Sequence, residues 1–168
     1  MKIVIVSDSH DNIPNIDKML AFCKKEKIET MIHCGDICAP DTLEYLADNF
    51  TGEIWWTSGN VHGELDLMTG FQKKLSKLHY VKDGSIISIP LVSLKIGLTH
   101  YPDVAKKLAT DNDLDFVFHG HTHQPWEATV GNCKIVNPGT LAGMFNKATF
   151  AVLNTETKNL ELKLLELL

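Results

Sequence analysis

The segment Lys2-Ile-Val-Ile-Val-Ser7, running into Asp8-Ser-His10-Asp-Asn12, decides how this chain is read. Ile3–Val6 is a continuous, β-branched apolar run, the pattern of a strand covered on both faces rather than of one half open to water. It stops at a polar cluster. Ile13, Ile16, Met19, Leu20 and Cys23 then recur at helical spacing, with Pro14 in the first turn, where its missing N–H is tolerated. The unit repeats. A second strand over Thr30–His33 ends at Cys34-Gly35-Asp36, and Pro40 opens a helix whose apolar positions are Leu43, Tyr45, Leu46 and Phe50. A third strand, Glu53–Thr57, ends at Ser58-Gly59-Asn60. Strand, helix, strand, helix, strand is the order of parallel βαβ units.

The second half reads differently. Ile86–Pro90 and Ser93–Leu98 form a hairpin whose second arm runs into Thr99-His100. A helix over Val104–Leu108 leads to a strand, Asp115–His119, and then to Gly120-His121-Thr122-His123. Two further hairpins turn at Gly131-Asn132 and around Thr155–Lys158, so the last third is expected to be antiparallel. No linker, repeat or low-complexity stretch interrupts the chain, and residues 1–168 are read as a single α/β domain with a mixed sheet system.

Composition narrows the function. At 44% hydrophobic and 22% charged the 168 residues match an ordinary globular domain, so disorder and coiled coil are excluded. No apolar run reaches the ~18–20 residues of a membrane span, and Met1–Ser7 is too short for a signal-peptide apolar region; a soluble, cytoplasmic protein is expected. Net charge is −5, and all 16 basic residues are lysines. Without arginine's planar fork or a basic balance, sequence-specific nucleic-acid binding is not expected. Any phosphate chemistry must take its positive charge from elsewhere. Cys23, Cys34, Cys38 and Cys133 lack the spacing of a zinc knuckle and read as small buried thiols.

Metal-capable side chains stand at the C-terminal ends of five consecutive strands: Asp8 and His10, Asp36, Asn60, His100, then His121 and His123. Beyond the carboxyl ends of strands is where open α/β sheets bind ligands. Singly, each has an ordinary explanation. Asp8 can cap the following helix, Asp36 and Asn60 follow glycines in turns, and His100 can be a strand-end histidine. His121 and His123, two apart on an extended segment, point the same way and are harder to dismiss. Together the seven form a mixed oxygen/nitrogen set that suits Mn, Zn, Fe or Ni better than Ca or Mg, and they suffice for two ions sharing a carboxylate.

Asp8-Ser-His10, Gly35-Asp36, Gly59-Asn60, Thr99-His100 and Gly120-His121-Thr122-His123 resemble the five motif blocks of the calcineurin-like metallophosphoesterase superfamily. The block order, the short length and Asn137-Pro138-Gly139-Thr140 resemble its small single-domain prokaryotic phosphodiesterase branch. The resemblance implies a four-layer α/β/β/α sandwich of two facing mixed sheets. It implies two divalent ions per chain, Mn expected, with Ni, Zn or Fe admissible. Asp8, His10 and His123 would hold the first ion, Asn60, His100 and His121 the second, and Asp36 would bridge them. A hydroxide between the ions would attack a small phosphodiester substrate. No membrane partner is implied, and a homo-oligomer is compatible with the family.

Asp36, Asn60 and His62 are the candidate catalytic residues. The last is a departure from the family. Larger members follow the block-three Asn with a leaving-group histidine, where Val61 stands here; the small branch has Asp two after the Asn, where His62 stands. Tyr101-Pro102 replaces the Gly-His that generally follows the block-four histidine. A second histidine near the site is thus missing, and an aromatic ring is expected to line the mouth instead. The rival reading is a non-catalytic interaction module, since the superfamily includes a retromer scaffold subunit that kept the fold and lost parts of the site. Of the remaining polar and aromatic residues, His33 and His119 are expected beneath the site, Trp55-Trp56 in the core and His79 at the surface. Trp126 fits either packing or a pocket wall, and Asn137-Pro138-Gly139 reads as a strand-end turn.

Overall fold

Strand β1 (Lys2–Val6) is buried from Ile3 to Val6 because neighbours cover both of its faces. It pairs in parallel with β2 (Thr30–His33), which pairs in parallel with β3 (Glu53–Trp56), as the apolar runs predict. The crossovers are α1 (Ile13–Glu26) and α2 (Pro40–Asn49). Helix α1 begins where the Asn12 side chain accepts the Asn15 amide N–H and ends at Lys27 in the left-handed region. It buries Ile16, Met19, Leu20 and Cys23, one face of the 3.6-residue period. This computed structural model describes residues 1–168.

The next stretch corrects the expected strand count. A short helix α3 (Leu65–Gly70), a 3₁₀ turn over Phe71–Lys73 and strand β4 (Leu78–Tyr80) lie between β3 and the hairpin. Strand β4 pairs in parallel with β3 at the sheet edge. The hairpin follows as β5 (Ser85–Ile87) and β6 (Ile96–Leu98), so the five motif-bearing strands are not consecutive: β4 and β5 intervene between the third and the fourth. After β6 come α4 (Pro102–Asp111), β7 (Phe116–Phe118), β8 (Trp126–Val130), β9 (Cys133–Asn137), β10 (Thr149–Asn154) and β11 (Leu160–Leu164).

The strands form two mixed sheets, ordered β11-β10-β1-β2-β3-β4 and β5-β6-β7-β9-β8. The antiparallel reading of the last third holds for the β8–β9 and β10–β11 hairpins, and β10 lies antiparallel to β1. It fails for β7 and β9, which run parallel. Hairpin turns are local, whereas β9's second partner comes from across β8, which no local pattern announces. Three apolar clusters show the layering. One joins Ile3, Ile5, Ile32 and Trp55 of the first sheet to Ile96, Leu98, Phe116, Phe118 and Val136 of the second. Another packs α1 and α2 on the outer face of the first sheet through Val4, Val6, Met31 and Trp56. The smallest packs Ala105 and Ala109 of α4 on Val117 and Ile135. The order is therefore α/β/β/α. No helix is long and apolar enough to cross a membrane.

Trp55 and Trp56 are core residues, as expected. His79 lies at the edge, stacked on Trp55 and paired with Glu53. Trp126, at the start of edge strand β8, is half exposed and lines a shallow groove with Pro125, Val136 and Leu160.

Candidate metal centre

Each parallel strand delivers its motif at its carboxyl end, and the loops that follow are strained. Asp8, His10, Asp36, His121 and His123 all have positive φ, between 40° and 72°. A non-glycine residue in this region costs ~1–3 kcal/mol and persists only where its surroundings enforce it, which is characteristic of functional sites. Five of the seven sequence-predicted ligands carry this strain. Gly59 shows why these loops tolerate no bulk: its φ is +78°, and a Cβ there would lie 2.2 Å from Asp36 Oδ1 and 2.6 Å from the Asp36 backbone nitrogen. The block-three glycine is required by both its conformation and the close approach of Asp36.

The side chains converge as two adjoining groups. In the first, His123 Nε2 lies 3.2 Å and His10 Nε2 3.9 Å from Asp8 Oδ1, and the two imidazole nitrogens face each other at 3.3 Å. In the second, Asn60 Oδ1 lies 2.9 Å from His100 Nε2 and 2.8 Å from His121 Nδ1. Asp36 stands between them. Its Oδ1 accepts the backbone N–H groups of Asn60 and Val61 at 2.9 and 2.8 Å. Its Oδ2 faces His10 Nε2 at 3.8 Å and His100 Nε2 at 3.4 Å. All seven predicted ligands are thus brought together; His62 is not, being exposed with its ring against the Gly63 carbonyl.

The floor is buried and the mouth is open. Asp8, Asp36, His100 and His123 are buried, His10 is half-buried, and Asn60 and His121 are exposed. Burial pushes the Asp8 carboxyl above the usual range. Burial pushes Asp36 the same way, but the His100 imidazole and the Val61 N–H outweigh it and leave Asp36 below its usual value. Conversely His100, pushed down by burial, is lifted above its ordinary value by Asp36 and then Asp8.

Two buried atoms of the first group, Asp8 Oδ1 and His123 Nδ1, have no hydrogen-bond partner. An unpaired buried carboxylate oxygen is costly, and an ion held between Asp8 Oδ1 and the facing imidazoles would satisfy it. The donor set is oxygen plus imidazole nitrogen, and the ring orientation is suitable: His100 Nδ1 donates to the Cys34 carbonyl at 2.8 Å, so Nε2 is the nitrogen turned toward Asp36 and Asn60 and the one that would meet an ion. The residues fit divalent ions.

Supporting contacts identify residues that sequence reasoning missed. Asp83 accepts the His100 backbone N–H at 2.6 Å and the Thr99 hydroxyl at 3.0 Å, clamping that motif. Its sequence signal, an Asp before Gly84, reads only as a turn. Cys38 Sγ lies 3.4 Å from His10 Nδ1 and is half-buried, rather than the inert buried thiol expected. Asn137 does more than turn the chain, because its side-chain amide donates to the Gly120 carbonyl and to Thr122 Oγ1 and so braces the double-histidine loop.

His33 and His119 lie beneath the site as expected. Neither ring hydrogen-bonds a candidate ligand: His33 Nε2 pairs with Ser9 Oγ, and His119 Nδ1 with the Gly120 carbonyl. Burial pushes His33 down to about 3. A histidine lowered in the folded state gives stability that is complete above its unfolded pKa of ~6.5 and lost as pH falls toward the folded value. Between pH 7 and 5 this histidine alone is expected to remove about 2 kcal/mol of unfolding free energy. Denaturant unfolding of wild type and His33→Gln at both pH values checks it: the variant's pH slope is shallower, and equal slopes would contradict the assignment.

This arrangement of two sheets and strand-end motifs defines a class. The calcineurin-like phosphoesterase superfamily domain matches residues 1–158, and the chain belongs to that superfamily, whose members use divalent metals. Among individual relatives, a phosphodiesterase of Methanocaldococcus jannaschii is 32% identical over 161 residues, covering 94% of this chain and 95% of its own. The structure of an archaeal phosphodiesterase superposes with a TM-score of 0.86 at 31% identity, covering 98% of this chain and 99% of the other. A zinc complex of Vps29 from Entamoeba histolytica shares the fold, with a TM-score of 0.69 at 18% identity over 96% of this chain and 90% of its own.

Proposed function

We propose that the chain, acting as one domain over residues 1–168, is a phosphodiesterase that works with two divalent ions. The observation that carries this reading is the division of labour in Asp36: two backbone N–H groups hold Oδ1, while Oδ2 faces an imidazole nitrogen from each group. Asp8, His10 and His123 would hold one ion, Asn60, His100 and His121 the other, and Asp36 would touch both. Manganese suits this set best, with Ni, Zn or Fe admissible, whereas Mg²⁺ prefers oxygen ligands and keeps its waters. When bound, such ions supply a water nucleophile ionised near neutral pH and positive charge for the phosphoryl oxygens.

The side chains set the rest of the chemistry. The sequence contains no arginine, so no guanidinium is available to clamp phosphate. At the mouth, Asn60 and His121 are open to solvent and to an arriving ester. Val61, 43% exposed, has no proton to give a leaving alkoxide. His62 is the nearby exposed imidazole that would take that role if its ring left Gly63.

A panel of phosphate mono- and diesters, with cyclic and linear nucleotides included, tests the reading across Mn²⁺, Ni²⁺, Zn²⁺, Fe²⁺ and Mg²⁺. Turnover of diesters above monoesters, highest with Mn²⁺ and poor with Mg²⁺, is the expected result. Stoichiometric metal binding without turnover of any ester would instead assign the chain to the scaffold role.

A further inference from the structure

Between β9 and β10 the chain forms a loop that no motif of the metal centre explains. Its feet are fixed. Leu141 N–H donates to the Ser7 carbonyl, and Ala142 N–H and the Thr140 hydroxyl donate to the Asp8 carbonyl. The side-chain amides of Asn12 and Asn15 both donate to the Ala142 carbonyl. At the far end Thr149 N–H returns to the Thr140 carbonyl. The loop is therefore stapled to the strand end that carries Asp8.

At its tip stands Phe145, 89% exposed, with its ring centroid 5.5 Å from that of His123. Its φ is +63°, a left-handed conformation that a bulky residue adopts only under constraint. An apolar ring held in strained backbone, and left almost wholly in water, gains little from packing. Tyr101, the other ring at the mouth, is occupied differently. It packs edge-on against both His100 and His121, with centroids at 5.2 and 5.3 Å, and so steadies those imidazoles. Phe145 is the aromatic face that remains free beside the centre.

We propose that Phe145 is a stacking platform for a planar aromatic substituent of the diester, making the chain selective for aryl or nucleobase-bearing phosphodiesters over alkyl ones. This rests on the phosphodiesterase reading and deepens it by naming the substrate class. Stacking needs only a π face, so it discriminates planar rings from alkyl groups without reading hydrogen bonds. The ring need not touch the reacting atoms, and its contribution belongs to binding.

Three esters that share one leaving group test this: the p-nitrophenyl esters of methyl phosphate, phenyl phosphate and thymidine 5′-phosphate. Because the bond broken is the same, their kcat/KM ratios report the retained group alone. The wild type is expected to favour the phenyl or thymidine ester over the methyl ester about tenfold, mainly through KM. Phe145→Ala and Phe145→Leu abolish that ratio and Phe145→Trp keeps it, which separates stacking from mere apolar bulk. The phenyl and thymidine arms distinguish a simple aryl group from a nucleoside. Calorimetric titration of the Mn²⁺-loaded protein with thymidine 5′-monophosphate gives a readout without turnover, with about tenfold weaker binding in Phe145→Ala expected. An unchanged ratio and unchanged binding would overturn the platform while leaving the phosphodiesterase reading intact. Cleavage of none of the three esters by wild type would overturn both. A change in sedimentation on Phe145→Ala, with the ester ratio unchanged, would assign the ring to an interface between copies and likewise overturn the proposal.

Discussion

The substitution Asp36→Asn is expected to lower kcat for diester hydrolysis at least ~10³-fold while leaving the fold intact. The two halves of that carboxylate have different partners, so one substitution separates structure from chemistry. The oxygen of the introduced amide can still accept the Asn60 and Val61 N–H groups that Oδ1 accepts now. That places the amide NH₂ where Oδ2 stands, between His10 Nε2 and His100 Nε2. A charge-bearing oxygen facing both groups becomes a pair of donor hydrogens, which repel a cation and compete for the imidazole lone pairs. The variant should therefore keep its unfolding midpoint without metal and lose metal content and turnover together. A fall in kcat below tenfold would reduce Asp36 to a turn residue.

The second large effect concerns the leaving group. General-acid assistance is worth ~10²–10⁴-fold, and Val61 can supply none. Esters with acidic leaving groups need that help least, so bis-nitrophenyl phosphate and nitrophenyl phenylphosphonate should be turned over at least ~10²-fold faster than simple alkyl monoesters. A plot of log kcat against leaving-group pKa for wild type and His62→Ala separates the assisted from the unassisted mechanism. With His62 turned to the Gly63 carbonyl, the slope is expected to be steep in both proteins. A shallow wild-type slope that steepens in the variant would make His62 the acid.

How far the sequence could be read follows from the range of each interaction. The β1-α1-β2-α2-β3 half was legible because Ile3–Val6 and Thr30–His33 are unbroken buried runs and Ile16, Met19, Leu20 and Cys23 keep helical period. Strand β4 was not, being three residues long with His79 at its centre, too short to show a period. The return of β10 to lie antiparallel to β1 is a long-range pairing with no local signal, and the division into two facing sheets came only from family resemblance. Within the centre, the candidate ligands were legible because each is a polar residue placed where an apolar strand ends. Their supports were not. Asp83 and Cys38 meet His100 and His10 from 17 and 28 positions away, contacts that only the folded chain brings together.

Metal content measured alongside activity on one preparation tests the central claim most directly. The protein is freed of metal with EDTA, reloaded with Mn²⁺ and analysed by elemental mass spectrometry while bis-nitrophenyl phosphate hydrolysis is followed. Seven converging oxygen and nitrogen groups sharing one carboxylate predict about two ions per chain, no turnover in EDTA and recovery that tracks the second ion bound. Full activity in the presence of EDTA would contradict it.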